Sequence, residues 1–476
     1  MDRISLLQTA VALALGFALR FVVNLEPVWW LAWIVPGLVL ALAVRTEGWT
    51  SRGLVAIAAL IGVSANLMYF LRVMPLLPAM IVLLLQTALW VVVVSETRRV
   101  MQASRAPWTM LAFPVMWVAA DTLLAQFTPD GNWGSLAYTQ AEMLPVAQLA
   151  ALFGVGGILF VLALFNGTVA YAFVRGVRTR DLIGACVAVT VVVAATEAYG
   201  WARLGEKPAG MPVSFGIASV DDFIRGPGTP DSREVWTQYD AQVQELANSG
   251  AKLILLPEKI DVLRSADAGT RQAALAKLAR DNKVWLVAGL GVDTGHERRN
   301  EAWWFAPDGR LVTNYLKHFL APPEREFVSG SDYPVNDIDG VRYGVAICKD
   351  MHFARLGRGF GARDAGVMLV PAWDFDLDAV MAANMTKLRG VENGYAVVRS
   401  SRQGLLSITD AYGRVLAVER SAKLPGTTVF ATVNVGARVP TLYTRIGDAL
   451  GWWCVAAALG LAAWTRVVAR RSGPVP

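Results

Sequence analysis

Long apolar runs fill the first two hundred positions of this chain. They start at about Ile4 to Leu25 and recur near 27–44, 53–73, 75–95, 108–127, 145–173 and 182–202, with one more near 447–465. A bilayer core takes about 20 apolar residues per helix, so this pattern predicts about eight transmembrane helices in all. The run at 145–173 is long enough to hold a kinked or tilted helix. Met1-Asp2-Arg3 gives the first run the charge of a signal peptide. Further spans follow it and no small-residue cleavage site stands out, so the run reads as a retained helix.

From about Met211 the pattern changes to short β-like runs alternating with amphipathic helices. Strands are predicted at Val213–Ile217, at Lys252–Glu258, at Val284–Gly291, in the run from Val341 that leads to Cys348, at Val367–Val370 and at Tyr395–Arg399. Helices are predicted at about Ser232–Asn248, Thr270–Asp281 and 378–393. Hairpins fall at Phe305–His318, around Pro307-Asp308-Gly309, and around Asp410–Arg414. Strands and helices joined by short links predict an α/β layered domain. The expected organisation is an N-terminal membrane bundle of about seven helices over 1–203, an α/β domain over 211–435, and a C-terminal membrane helix over 446–469.

Composition agrees with a chain that lies largely in lipid. Hydrophobic residues make up 55% and charged residues only 17%, where soluble domains carry about 25% charged. The net charge of +6 does not point to nucleic acid, because the arginines sit mostly in short loops between apolar runs. Arg3, Arg45, Arg52, Arg98, Arg99, Arg105, Arg175, Arg178, Arg180, Arg466, Arg470 and Arg471 all fall on one side of an eight-span topology. By the positive-inside rule both termini are cytoplasmic. Segment 203–446 then faces away from the cytoplasm, into a periplasm where an outer membrane exists. Arg20 and Asp121 sit at or near membrane depth, where a charge faces a partner or snorkels to the interface. The loop Thr128–Ser135 carries turn residues and an interfacial Trp133, suited to capping two helices or holding a lipid head group.

Candidate chemistry gathers at three strand ends. Cys186 and Cys454 lie in apolar segments, which leaves Cys348 as the cysteine placed for reaction. The pattern turns helix-like after Asp350. Cys348 is therefore expected at a strand-to-helix elbow, where free N–H groups and the helix dipole favour a thiolate. Lys252–Glu258 is an apolar strand ending in a carboxylate, and the second strand of the Phe305–His318 hairpin ends at Lys317. Each has an ordinary alternative: a core cysteine, a surface carboxylate, a solvated lysine. With His296, His318 and His352 unclustered, neither a metal site nor a cofactor is expected.

Taken together, strand ends in the order Glu, Lys, Cys resemble the nitrilase (carbon–nitrogen hydrolase) superfamily over about residues 212–435. That resemblance implies a four-layer α-β-β-α sandwich. Eight spans with such a domain between the seventh and eighth look like the apolipoprotein N-acyltransferases. Leu144–Gly157 followed by Asn166 is similar to that family's sixth-span region, and Leu388–Gly394 to a stretch of its outer domain. Two departures stand beside it. Lys349 and Asp350 follow Cys348 where the family has an aromatic residue and a glutamate, and the interval from Lys317 to Cys348 is short.

The expected chemistry has Cys348 as nucleophile and Glu258 as general base. Lys317, with the backbone N–H after Cys348, stabilises the oxyanion. A second site glutamate, Glu324 in preference to Glu326, orients Lys317 or the incoming amine. Lys349 and Trp373 are candidate substrate-binding residues; Lys349 either adds to the positive field or points to solvent. The resemblance implies acyl transfer from a phospholipid, through a cysteine thioester, to the terminal amine of a diacylglyceryl-cysteine apolipoprotein in a bacterial inner membrane. A membrane-anchored amidase, or an acyltransferase for another amine, is the alternative that the short interval favours.

Overall fold

The computed structural model describes residues 5–207, 210–222 and 232–471. Arg3 and the side chain of Arg471, two of the charges used for orientation, lie outside the described residues. The chain divides into two compact units, Met1–Leu204 with Ile446–Pro476, and Gly205–Arg445.

The first unit is helical. Leu6–Val23, Gly48–Val73, Leu76–Ala103, Pro107–Phe127, Thr179–Leu204 and Ala449–Val468 are long and apolar enough to cross a membrane. Leu77 (72% exposed), Leu85 (65%) and Val191 (61%) point outward from them, which suits a lipid surface and no aqueous one. This is a multi-pass membrane protein.

Six such helices among the described residues fall short of the eight full spans that hydropathy predicts, and two segments account for the difference. In the first, a 3-10 turn at Leu31–Trp33 precedes a helix only at Val35–Arg45. Its inner residues are buried by neighbouring helices. Asn166 pins it, accepting from Gly37 N at 2.6 Å and donating to Ala32 O at 2.9 Å. Irregular backbone at membrane depth is tolerated when protein surrounds it. In the second, Gly154 adopts φ +65°, and the run 145–173 breaks into Leu144–Phe153 and Val155–Tyr171.

Both intramembrane charges have partners. Arg20 donates to Ser64 Oγ at 2.7 Å. Buried Asp121 accepts from Asn132 Nδ2 at 2.8 Å, and Asn132 in turn accepts from Tyr138 at 2.9 Å. The loop bearing Asn132 is further held by Trp133, which stacks on Tyr69 with ring centroids 5.0 Å apart.

The second unit has two sheets. β1 (Met211–Ser219), β2 (Leu253–Leu255), β3 (Val262–Arg264), β4 (Trp285–Asp293), β5 (Arg298–Phe305), β6 (Leu311–Leu316) and β7 (Phe327–Val328) belong to the first. β8 (Val335–Ile338), β9 (Val341–Val345), β10 (Val367–Trp373), β11 (Ala396–Arg402), β12 (Leu405–Thr409) and β13 (Val415–Arg420) form the second. β14 (Thr427–Val435) returns to the first, giving the order β14-β1-β2-β4-β5-β6 against β13-β12-β11-β10-β9-β8.

Phe215, Ile217, Leu255, Val287 and Trp304 of the first sheet meet Val345, Leu369, Val398 and Ile408 of the second in one buried core. Helices Ser232–Asn248 and Ser265–Asn282 lay Val235, Tyr239, Val243 and Leu275 on the opposite side of the first sheet. Helix Ala379–Asn393 packs on β11 and β12. The central strands are parallel and covered on both faces, which explains their unbroken apolar sequence. This geometry brings the carboxyl ends of β2, β9 and β10 together with the end of β6.

Candidate active site

Glu258 follows β2 and is buried. Its approach depends on Gly289 of β4: a Cβ there would lie 2.5 Å from the Pro257 carbonyl oxygen and 2.6 Å from Glu258 Cα. The Glu258 N–H donates to Ala372 O at 3.2 Å, tying this strand end to β10 of the other sheet. Glu258 Oε1 accepts from Lys317 Nζ at 2.7 Å and from Asn300 Nδ2 at 2.5 Å. Its Oε2 is buried with no hydrogen-bond partner among the described residues. A buried carboxylate oxygen without a donor is costly. It is also the natural destination for a proton.

Lys317 stands at the end of β6, past the Asp308-Gly309 turn, with 1% of its side chain exposed. Its Nζ lies between Glu258 and Glu324 Oε2, the latter at 2.8 Å. Burial works against the ammonium, but the two carboxylates outweigh it and hold Lys317 well above the ordinary lysine range. Glu324 ends a short 3-10 turn, Pro322–Glu324. Its Oε2 also accepts from Ala321 N at 2.8 Å, while Oε1 accepts from Lys259 Nζ at 2.5 Å and Asn300 Nδ2 at 2.6 Å. Against the opposing push of burial, Lys317 and Lys259 keep Glu324 far below the usual carboxylate range. Glu326, the other candidate, is exposed and pairs with Arg298 at 2.5 Å. The structure joins Glu324, and not Glu326, to Lys317.

Cys348 sits three residues beyond β9 in the left-handed region, φ +46°, a strained backbone for a non-glycine residue. Here the expected elbow needs correction. Cys348 opens a 3-10 turn of five residues, Cys348–His352, and a regular helix starts only at Ala354. The helix expected to begin at the cysteine does not begin there. Burial, followed by the Glu258 carboxylate, pushes the thiol well above its ordinary value, and Lys317 offsets this only in part. The resting group is a neutral thiol, donating to Trp373 O at 3.5 Å. The same shift shows that the sulfur feels both Glu258 and Lys317.

Asp350 holds the elbow in place. It accepts from Ile347 N at 2.9 Å, Tyr315 Oη at 2.7 Å, His318 N at 3.1 Å and Phe319 N at 2.8 Å. One carboxylate thus clamps the cysteine turn to the residues just after Lys317. Lys349 does not reach solvent: it is buried and donates from Nζ to Leu320 O at 3.1 Å. Trp373 ends β10 with its ring fixed by a bond from Nε1 to Gln403 at 2.9 Å. Arg402 lies 4.1 Å and Lys259 Nζ 5.0 Å from its ring centroid. Behind it, Arg399 grips Asp374 with two bonds of 3.0 and 2.5 Å.

Asn300 and Lys259 are absent from the reading of the sequence. Asn300 is the third of four polar residues that open β5, and only the β4–β5 register, Gly291 opposite Asn300, sets it against Glu258. Lys259 adjoins Glu258 directly. A second charge at an apolar strand end was the available signal. No group of three or more metal-ligating side chains occurs among the described residues.

Two family matches follow the same division of the chain. Residues 223–438 match the carbon-nitrogen hydrolase family and residues 9–168 match the apolipoprotein N-acyltransferase N-terminal domain. The second unit, which carries the strand-end cluster, is the part of the chain that matches the carbon-nitrogen hydrolase family. Over both parts the chain is similar to proteins named apolipoprotein N-acyltransferase. It is 26% identical to the apolipoprotein N-acyltransferase of Geobacter metallireducens over 390 residues, 74% of each protein. It is also 26% identical to that of Gloeobacter violaceus, over 73% of this chain and 69% of the relative. Among solved structures, an amidase from Nesterenkonia superposes with a TM-score of 0.41 at 18% identity, covering 52% of this chain and 96% of the amidase.

Proposed function

We propose that this protein is a lipoprotein N-acyltransferase acting by a ping-pong reaction through Cys348. The observation that carries the chemistry is Lys317 Nζ held at 2.7 Å by Glu258 and 2.8 Å by Glu324, with Glu258 Oε2 left open to accept a proton. Similarity to the apolipoprotein N-acyltransferases supports the substrate class.

Glu258 Oε2 takes the Cys348 proton as sulfur attacks the ester carbonyl carbon of a phospholipid. A neutral resting thiol makes this base necessary. Lys317, already fixed in position, stabilises the tetrahedral oxyanion, and the N–H of Lys349 is the second donor. Collapse breaks the acyl carbon–oxygen bond, and the departing lysophospholipid alkoxide takes the proton from Glu258. In the second half the α-amine of a diacylglyceryl-cysteine attacks the thioester carbonyl. Glu258 accepts the amine proton and returns it to the departing sulfur. The product is an amide, and the free thiol is restored.

Glu324 plays no direct part in these steps. Its two oxygens already accept four bonds, from Lys317, Lys259, Asn300 and the Ala321 N–H. It positions Lys317 and has no acceptor capacity left for an incoming amine. The membrane helices keep donor and acceptor in one plane. In the proposed orientation the second unit faces the periplasm of a bacterial inner membrane.

The test is transfer by purified protein in phospholipid vesicles containing a diacylglyceryl-cysteine peptide with a free terminal amine. The reading requires the peptide to gain one fatty acyl chain in amide linkage. Cleavage of small amides with an unmodified peptide establishes a membrane-anchored amidase in its place.

A further inference from the structure

We propose that Lys259 is a positioning residue for this reaction, the second counter-ion that lets Glu258 and Glu324 stay ionised together. This inference rests on the assignment of Cys348, Glu258 and Lys317 given above and extends it to a residue that assignment does not use.

The two glutamates share both of their principal donors. Asn300 Nδ2 bonds Glu258 Oε1 at 2.5 Å and Glu324 Oε1 at 2.6 Å, and Lys317 Nζ bonds both side chains. Two carboxylates held this close disfavour double ionisation, and one of them retains a proton unless further positive charge is supplied. Lys317 alone neutralises one. Lys259 supplies the second charge, at 2.5 Å from Glu324 with 10% of its side chain exposed.

Its placement is specific. The backbone at Lys259 turns through φ +45° directly after the base, a left-handed bend for a residue with a side chain. The ammonium lies 5.2 Å from the ring centroid of Phe327 and 5.0 Å from that of Trp373, within the range of cation–π attraction. Other charged groups also face the pair. Asp374, Arg402 and the Cys348 sulfur feel Glu258, and Asp350 feels Lys317. Arg399 is committed to Asp374 by two bonds, and Arg402 is stacked on Trp373. Lys259 is the further cation bonded to the glutamate pair itself among the described residues.

Two consequences follow. With both carboxylates ionised, the open Glu258 Oε2 is the acceptor for the thiol proton. With Lys259 on Glu324, an acceptor's ammonium group finds no anion to pair with there, so the amine reacts in its neutral form.

The test uses the full-length protein in detergent micelles and reads the burst of total p-nitrophenol, at a wavelength where its two protonation forms absorb equally, from p-nitrophenyl butyrate across pH 4.5 to 8. A Cys348→Ser control must lack the burst. Lys259→Gln keeps a hydrogen-bond donor for Glu324 and loses the charge; its acid limb moves up by at least about half a pH unit. Lys259→Arg keeps the charge and leaves the limb in place. An acid limb unmoved in Lys259→Gln overturns the proposal, as does one that moves equally in both variants. Should the Gln variant not fold, Lys259→Arg alone decides: a moved limb refutes the charge role, and an unmoved limb with wild-type burst amplitude supports it. A wild-type protein that gives the burst yet moves no acyl chain from phospholipid to an amine refutes the proposed function alone.

Discussion

Gly289→Ala carries the sharpest structural prediction. Position 289 touches no reacting group. Its added Cβ would stand 2.5 Å from the Pro257 carbonyl oxygen and 2.6 Å from Glu258 Cα. Ordinary contact needs about 3.5 Å, so the strand end must retreat by about 0.9 Å. The obstacle is backbone, with no flexible side chain to swing aside. A shift of that size stretches the 2.7 Å bond from Lys317 to Glu258 past useful length and moves Oε2 from the sulfur. Misplacement by about 1 Å lowers a rate by about 10²-fold. Overpacking of this kind costs about 1–3 kcal/mol of stability, so the protein still folds. The assay is single-turnover thioester formation, with melting temperature measured alongside. Gly269→Ala, where an added Cβ meets nothing within 4 Å, is the control and keeps wild-type rates. An acylation rate for Gly289→Ala equal to wild type, in a folded protein, refutes the claim that this glycine places the base.

Further outcomes are expected. Lys317→Met lowers the acylation rate by about 10²–10³-fold and destabilises the protein by about 3–5 kcal/mol, since two buried carboxylates lose their shared cation; kinetics and thermal melts read the two effects. Asp350→Asn offers one accepting oxygen where four donors now converge, and slower acylation with a lowered melting temperature is the result to look for. Because the folded thiol of Cys348 titrates above its ordinary value, iodoacetamide alkylation in a Cys186→Ser, Cys454→Ser background rises with pH through 9 and shows no plateau below it. Stability follows the same shifts. Glu324 is lowered in the folded state, so its contribution is present above the unfolded carboxylate value of about 4.3 and lost as pH falls through the folded value. Lys317 is raised, so its contribution is complete below about 10.4 and is lost as pH rises through the folded value.

Much of the catalytic unit was legible in the sequence because its central strands are buried on both faces. That burial demands unbroken apolar runs, and the polar residue closing each run then marks a strand end. Glu258, Lys317 and Cys348 were visible for this reason. Asn300 was not, since its meeting with Glu258 depends on register between β4 and β5 and leaves no trace along the chain. The electrostatics at Cys348 were misread because a five-residue 3-10 turn and a helix start have the same short-range pattern. Burial and Glu258 set the thiol, and both are products of the tertiary fold. Two of the predicted spans are irregular for a related reason: Leu31–Arg45 is apolar because other helices surround it, and Gly154 ends a helix inside a continuous apolar run.

The central claim is that a fatty acyl chain rests on the sulfur of Cys348 between two half-reactions. Its most direct measurement is intact-protein mass spectrometry after incubation with a phospholipid of defined acyl chains and no acceptor. The predicted result is a single added acyl mass, mapped to the Cys348 peptide, released by hydroxylamine and discharged when a diacylglyceryl-cysteine peptide is added. Wild-type protein that stays unmodified while still acylating the peptide would contradict the account, because the chain would then pass from donor to amine without touching the cysteine.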